Sequence, residues 1–246
     1  MCTTCGCHDH DHNHSHNHNH DHTHDHNNDN QSRTISIKQD LDIKNKKIAE
    51  KNRAFFKKNN IFVLNLLSSP GSGKTTLLEK TLSDLRNKIN FAVIEGDLQT
   101  DNDKKRIAKY NIPVRQINTI SSCHLDAQMI QKELLEFNIK NLQVLIIENV
   151  GNLVCPATFD LGESMKISLL SVTEGDDKPI KYPILFRETK LALITKTDLL
   201  PYVDFDVKQC HKYLRQVNPD IEIIELSSKT SEGMELWYNW LNTHLY

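Results

Sequence analysis

Glycine and proline are scarce in this 246-residue chain, with eight and seven residues, which excludes a fibrous or low-complexity protein. No apolar run approaches the ~18 residues of a membrane-spanning helix. The 30 basic and 32 acidic side chains leave a net charge of −2, so electrostatics provides no basis for binding nucleic acid or an anionic membrane. The start of the chain lacks the basic and apolar segments of a secretory signal, and we therefore expect a cytoplasmic protein.

Apolar residues are also absent between His8 and Asn30, where ten histidines occupy every second position from 8 to 26. Nothing in this stretch offsets the entropy cost of ordering the backbone, so residues 1–35 are predicted to form a disordered tail. An expression tag would be an unbroken histidine run, whereas here polar spacers separate the imidazoles. Alternating imidazoles bind divalent transition metals in many equivalent ways, and three cysteines precede them. We interpret the tail as a metal-binding segment, used for storage or for delivery.

Residues 36–246 alternate between short apolar runs and amphipathic segments. The stretch 37–60 has the spacing of a helix with one packed face. Runs typical of buried strands lie at 62–69, 91–97, 114–119, 144–151, 166–172, 191–198 and 221–228, and helical patterns lie at 75–88, 124–137, 207–214 and 231–245. This alternation predicts one α/β domain with a mostly parallel sheet and helices on both faces. Ligands of such sheets bind outside the carboxyl ends of the strands.

The segment SSPGSGKTT at 68–76 lies between a predicted strand and a predicted helix, which is the setting of a phosphate-binding loop. Backbone N–H groups and the helix N-terminus bind phosphate oxygens in such loops. Lys74 is predicted to reach the β- and γ-phosphates, and the Thr75 hydroxyl to bind Mg²⁺. Ser68 stands where this motif usually begins with glycine. The nucleotide-binding residues predicted here are Gly71, Ser72, Gly73, Lys74, Thr75 and Thr76.

The segment LITKTD is predicted to read the base. The carboxylate of Asp198 can accept hydrogen bonds from N1–H and N2–H₂ of guanine, a pair of donors that adenine lacks. The aliphatic part of Lys196 is predicted to lie over the base. Thr195 stands where asparagine is commoner, and it lacks the amide that would support the phosphate loop. A second base-contacting loop is predicted at Ser227, Ser228 and Lys229. Together the two loops favour GTP over ATP.

Two acidic residues close predicted strands at the edge where hydrolysis would occur. Asp97 ends FAVIEGD and precedes the polar run 98–106, which is predicted to act as a switch loop. Glu148 ends VLIIE, the place of the carboxylate that accompanies Mg²⁺ in P-loop hydrolases. Lys74, Asp97 and Glu148 are the predicted catalytic residues, and Asp97 is also a predicted Mg²⁺ ligand.

Two cysteines and a histidine fall at the same predicted edge of the sheet. Cys123 and His124 are predicted to begin a helix, and Cys155 follows Glu148 by seven residues. Two thiolates and an imidazole supply three of the four ligands of a Zn²⁺ or Ni²⁺ site. Either cysteine alone would more often be a small packed side chain, and this is the role we assign to Cys210.

From about residue 50 to its end, the chain resembles the HypB family, the hydrogenase nickel-incorporation GTPases. The resemblance is carried by CTTCGC at 2–7, SSPGSGKTTLL at 68–78, EGDLQTDND at 95–103, CHLDA at 123–127, ENVGNLVCPATFDLGE at 148–163 and TKTDLLPY at 195–202. The stretch ENVGNLVCPA is the most specific, because generic P-loop proteins lack it. The resemblance implies a SIMIBI-class P-loop GTPase that forms a homodimer through GTP. It further implies delivery of nickel to the [NiFe]-hydrogenase large subunit, together with other maturation factors.

The resemblance also implies metal sites at two places, Cys2, Cys5 and Cys7 in the tail and Cys123, His124 and Cys155 in the GTPase domain. The tail spacing C-x₂-C-x-C lets three thiolates surround one ion, and removal of Met1 would free an α-amine as a fourth ligand. Thiolates and an amine suit square-planar Ni²⁺, and Zn²⁺ competes for the same sulfurs. The histidine tract would then be a low-specificity reservoir beside a specific site.

Three functions remain open at this stage. The leading hypothesis is a GTP-hydrolysing metallochaperone, in which GTP orders the loop after Asp97 and the dimer interface, and hydrolysis releases the metal. The first alternative is a urease-type nickel accessory GTPase, against which CTTCGC and NLVCPATFDLGE argue. The second is a nickel or zinc storage protein without catalysis, against which the intact nucleotide motifs argue.

Overall fold

The computed structural model describes residues 27–97, 102–119 and 124–245, with side chains described for 40–96, 105–119 and 124–245. The predicted tail ligands and the predicted internal ligand Cys123 therefore lie outside the described residues.

Seven strands form one sheet in which every neighbouring pair is parallel. They are β1 Phe62–Ser68, β2 Phe91–Asp97, β3 Val114–Asn118, β4 Val144–Glu148, β5 Met165–Ser171, β6 Leu191–Thr195 and β7 Glu222–Leu226. The strand order is β3-β2-β4-β1-β5-β6-β7, which places β1 at the centre. Each predicted apolar run forms a strand, and the predicted parallel sheet is confirmed.

Nine α-helices precede, connect and follow the strands within the described residues. These are α1 Asn27–Lys58, α2 Lys74–Leu85, α3 Asn102–Ala108, α4 Ala127–Leu134, α5 Cys155–Thr158, α6 Lys178–Lys181, α7 Pro183–Arg187, α8 Val207–Val217 and α9 Met234–Thr243. A 3₁₀ helix, Thr197–Tyr202, follows β6. In the part of the chain that the structure describes, no helix combines the length and the apolarity needed to cross a membrane.

Helices cover both faces of the sheet, because successive strand residues point to opposite sides. On β1, Leu64 and Leu66 pack with α2 and α9, whereas Val63 packs with α1 and α4 on the opposite face. Toward β6 and β7, α7 and α8 cover a third cluster around Phe186. Cys210 is buried in this cluster, and burial raises the pKa of its thiol to about 12, which confirms the predicted packing role.

Three boundaries differ from those predicted. The helix α1 begins at Asn27, whereas the helical stretch predicted from the sequence began at residue 37; each residue added to a helix pairs further backbone groups within the helix itself. The run 98–106, predicted as a loop, enters α3 at Asn102, because burial of Ile107 in the core favours a helix there. The start of α4 lies at Ala127 rather than Cys123, because Asp126 caps it by accepting a hydrogen bond from the Met129 N–H at 2.8 Å.

Candidate functional site

The loop between β1 and α2 surrounds an open cavity of about 450 Å³. Gly71 and Gly73 have φ angles of +76° and +98°, a conformation that favours glycine. A side chain added at Gly71 would meet nothing within 4 Å, so this face of the loop is open to a ligand. The backbone therefore has the shape that the phosphate-binding prediction requires.

Ser68, at the position where glycine is usual, is buried beneath this loop. Its hydroxyl accepts a hydrogen bond from Lys74 Nζ at 2.7 Å and contacts the hydroxyl of Ser72. A serine rather than a glycine at position 68 thus gives Lys74 a hydrogen-bond partner within the site.

Two carboxylates lie at the base of the cavity. Glu148 accepts a hydrogen bond from Thr75 Oγ1 at 2.7 Å, and its Cα is paired in register with that of Glu95 on β2. Glu95 is buried and lines the cavity, although it is not among the residues predicted from the sequence. The signal was available, because Glu95 precedes Asp97 by two residues and therefore lies on the same side of β2. The strand ends at Asp97 as predicted, and the Asp97 side chain lies outside the described residues.

These oxygen donors fit Mg²⁺. A threonine hydroxyl and a carboxylate 2.7 Å apart offer the hard ligands that Mg²⁺ prefers, beside a loop shaped for phosphate.

The loop after β6 is joined to the phosphate loop by two hydrogen bonds. Thr195 Oγ1 donates to the Ser72 carbonyl at 2.7 Å, so the threonine hydroxyl supports the loop in place of the amide expected at this position. Lys196 Nζ donates to the Gly71 carbonyl at 2.7 Å, and its backbone is in the left-handed region. The lysine stem therefore extends across the cavity mouth, where a base could lie against it.

The two predicted base-contacting loops meet because β6 and β7 are paired. Ser227 Oγ donates to Asp198 Oδ1 at 2.6 Å and accepts the N–H of Lys229 at 3.2 Å. These bonds orient the Asp198 carboxylate and the loop backbone together. The Ser228 hydroxyl instead points to Met234 Sδ of α9, at 4.0 Å.

Two further residues support the phosphate loop and were not selected from the sequence. Arg106 of α3 lines the cavity, pairs with Glu79 and lies 3.4 Å from the hydroxyl of Thr76. It was missed because it fell in a segment predicted as a loop. Glu174, after β5, accepts hydrogen bonds from Ser69 Oγ and from a backbone N–H, and no motif pointed to it.

A second cavity, of about 590 Å³, lies between α1 and the segments that carry the predicted internal metal ligands. His124 and Cys155 both line it, as do Asp126 and Asp160. The His124 ring stacks on Phe159 with centroids 3.7 Å apart, and burial lowers the pKa of His124. The imidazole is therefore favoured in the neutral form that binds metals. Among the described residues, no cluster of three His, Cys, Asp or Glu is arranged around a common metal position.

Helix α1 fixes both segments from the outside. The Asn45 side chain donates to the Asp160 carbonyl at 2.8 Å and accepts from the Ala127 N–H at 2.9 Å. Asn52 Nδ2 donates to the carbonyls of Ala127 and Leu161 at 2.9 and 3.0 Å. The relative positions of His124 and Cys155 thus depend on a helix that is distant from both in sequence.

Comparison with known proteins places the chain in a family. Residues 62–225 match the family described as "CobW/HypB/UreG, nucleotide-binding domain". The chain is 53% identical over 209 residues to the hydrogenase maturation factor HypB of Escherichia coli, covering 85% of this chain and 72% of that protein. It is 42% identical over 211 residues to the hydrogenase/urease maturation factor HypB of Helicobacter pylori, covering 84% and 86%.

Solved structures agree with this assignment. The crystal structure of HypB from Archaeoglobus fulgidus matches with a TM-score of 0.78 at 38% identity, over 83% of this chain and all of that one. HypB from Helicobacter pylori in complex with nickel matches with a TM-score of 0.77 at 42% identity, over 81% of this chain and 94% of that one. A family model that matches most of the chain, and 53% identity to a relative of which the chain covers 72%, show that the chain belongs to the HypB family of hydrogenase maturation factors.

Proposed function

We propose that this protein is a GTP-hydrolysing nickel metallochaperone of the cytoplasm, which delivers nickel to the [NiFe]-hydrogenase large subunit together with other maturation factors. One observation carries the proposal: a single segment serves both cavities. It begins at Glu148, which is bonded to Thr75 of the phosphate loop, and reaches Cys155, which lines the second cavity seven residues later. A change at the phosphates therefore has a short covalent route to the metal ligands.

In the nucleotide cavity, the loop amides bind the phosphates and Lys74 exchanges the Ser68 hydroxyl for phosphate oxygens. Thr75 and Asp97 would hold Mg²⁺, with Glu148 beside them, and the ion would supply positive charge next to the phosphates. Glu148 and Asp97 orient the attacking water. Asp198, held by Ser227, accepts the N1–H and N2–H₂ donors of guanine and so selects GTP.

Nickel is the cargo in this proposal, and zinc competes for the same ligands. His124 and Cys155 line one cavity, and Cys123 supplies the further thiolate. The tail thiolates of Cys2, Cys5 and Cys7 hold a second ion, with the histidine tract as a reservoir. GTP promotes a homodimer, which brings two internal sites together, and hydrolysis relaxes the ligands so that nickel passes to the partner. The nickel complex of the Helicobacter pylori relative supports nickel as the cargo.

A second candidate function is nickel supply to urease. It is favoured by one observation, the 42% identity to a protein named hydrogenase/urease maturation factor. The same chemistry would serve both targets, so co-purification with hydrogenase or urease subunits distinguishes them.

The test separates catalysis from metal binding. Lys74→Ala should reduce GTP turnover at least 100-fold, because the phosphates lose their principal cation, while nickel bound at the tail cysteines is unchanged. The matched control is Lys80→Ala, which removes an α2 lysine that pairs with Asp84 one turn along the same helix. Residual turnover near wild type in Lys74→Ala, or loss of tail nickel in that variant, would contradict the proposal. Metal analysis of the native chain beside Cys2 and Cys155 variants then assigns the metal at each site.

A further inference from the structure

Three buried polar side chains form a hydrogen-bonded chain from β4 across β1 to the segment before β5. Asn149 Nδ2 donates to Asn65 Oδ1 at 3.1 Å, and Asn65 Nδ2 donates to Glu163 Oε1 at 3.2 Å. Their exposed fractions are 2%, 0% and 6%. Apolar side chains would fill the same space without any need to desolvate polar groups. A buried polar group that loses its partner costs about 1–3 kcal/mol. Packing alone therefore does not account for this polar relay.

One end of the polar relay belongs to the nucleotide cavity. Asn149 directly follows Glu148, and its backbone N–H donates to the Leu66 carbonyl of β1 at 3.1 Å. Two residues on, Gly151 lies so close to the phosphate loop that an added Cβ would be 3.1 Å from Pro70. Any adjustment of the phosphate loop to a bound nucleotide therefore acts on the segment that carries Asn149.

The other end belongs to the second cavity, which His124 and Cys155 line. Glu163 Oε2 accepts a hydrogen bond from the Leu161 N–H at 2.7 Å, close to Phe159, which stacks on His124. Lys166 Nζ lies 3.8 Å from Glu163 Oε1 and donates to the Ala157 carbonyl of α5, the helix that Cys155 begins. Glu163 thus bears on the supports of both described metal ligands.

We propose that Asn65 and Glu163 are positioning residues that couple the two cavities, so that the nucleotide bound at the phosphate loop sets the geometry of His124 and Cys155. The inference rests on the proposed function and deepens it. In a packed interior, a shift of one polar group moves the next one, because leaving a void or an unpaired polar group would cost free energy. By linkage, metal in the second cavity changes nucleotide affinity by the same factor as nucleotide changes metal affinity.

The test measures this coupling factor in the full chain, with the tail cysteines replaced by serine so that Ni²⁺–thiolate absorption reports the internal site. Nickel is titrated in the presence of GDP and of a non-hydrolysable GTP analogue. The two affinities should differ threefold or more in the parent chain and by less than 1.5-fold in Glu163→Gln. Glutamine keeps the volume but replaces one acceptor by a donor that faces Asn65 or the Leu161 N–H. Nucleotide affinity without metal should stay within twofold of the parent.

The matched control is Ser168→Ala. Ser168 lies on β5 outside the polar relay, and its buried hydroxyl is hydrogen-bonded to the Thr189 hydroxyl at 3.2 Å. This variant should lose similar stability and keep the full coupling factor. If circular dichroism shows that Glu163→Gln is unfolded, Asn65→Ser is used instead. It interrupts the polar relay at its centre and is expected to lose the coupling between nucleotide and nickel to the same extent. Full coupling in the folded relay variants overturns the relay and leaves the proposed function standing. The relay is also overturned if the parent chain binds no nickel at this site, or binds it with the same affinity in GDP and in the GTP analogue. If the parent chain shows neither nickel binding nor GTP turnover, the proposed function is overturned as well.

Discussion

The nucleotide cavity and the second cavity, which His124 and Cys155 line, lie at the same edge of the sheet but are held in place differently. In the first, hydrogen bonds join the ends of β4 and β6 to the phosphate loop and the start of α2, from Thr75 to Glu148 and from Thr195 to the Ser72 carbonyl. In the second, His124 precedes a helix and Cys155 begins one of four residues, and α1 holds both from outside. A site at strand ends inherits its geometry from the sheet register, whereas a site on loops needs a separate support.

The largest expected effect tests that support at the contact between α1 and the segment that follows Cys155. Gly162 has φ +89°, and an added Cβ would lie 2.5 Å from the Ala49 carbonyl of α1. Gly162→Ala should lower the free energy of unfolding by about 2–4 kcal/mol, from strain plus overpacking. Gly71→Ala, at φ +76° with nothing within 4 Å, should cost only about 1 kcal/mol. Urea denaturation of both variants measures the difference, and equal losses would contradict the dependence on α1.

The next effect concerns selectivity in the nucleotide cavity. Wild type should prefer GTP to ATP at least tenfold, about 1.4 kcal/mol or more. Asp198→Asn should shift the preference toward xanthosine triphosphate, because the amide presents a donor where guanine also donates. Competition binding with the three nucleotides measures this shift. Equal competition by ATP and GTP in the wild type would refute the role of Asp198.

A smaller effect tests the hydrogen bond from the Thr195 hydroxyl, at the end of β6, to the Ser72 carbonyl of the phosphate loop. Thr195→Val removes the hydroxyl and leaves the Ser72 carbonyl without that donor, which should cost about 1–2 kcal/mol of stability and weaken GTP binding three- to tenfold. Thr195→Ser keeps the donor and should bind GTP nearly as the wild type does. If valine and serine bind alike, the hydroxyl does not support the loop.

The smallest effect lies at the surface of the α1 contact. Arg53 pairs with Asp160 at 2.6 Å, with side-chain exposures of 47% and 35%, so Arg53→Gln should cost at most about 0.5 kcal/mol. Burial by itself would raise the pKa of Asp160, but the hydrogen bonds from Arg53 and from the Gly162 N–H lower the pKa below its usual value. A lowered carboxyl pKa stabilises the fold above the unfolded-state value and loses that effect as pH falls through the folded value. The two chains should therefore differ at neutral pH and converge in acid, and a difference that grows in acid would contradict this pairing.

Much of the nucleotide cavity was predictable because its residues lie in contiguous motifs at strand ends. Lys74, Thr75, Glu148 and Asp198 are placed as their motifs indicate, and the alternation of strand residues would also have revealed Glu95. The support given by Thr195 was not predictable, since a hydroxyl can replace an amide only when the facing carbonyl lies within reach. The predicted start of α4 at Cys123 was wrong, because Asp126 caps the helix at Ala127 by accepting a hydrogen bond from the Met129 N–H, and this cap outweighed the apolar pattern.

The sequence by itself determined the order of strands and helices along the chain, the glycine-rich loop after β1, the place of Asp198 after β6 and the family, because each depends on residues close together in the chain. Tertiary structure alone decided that His124 and Cys155 share a cavity, that α1 holds them, and that Asn65 connects Asn149 to Glu163. These contacts join residues about 80 to 120 positions apart in the chain, and only the packing of helices against a folded sheet brings them within hydrogen-bond distance. Local pattern carries no record of such distances.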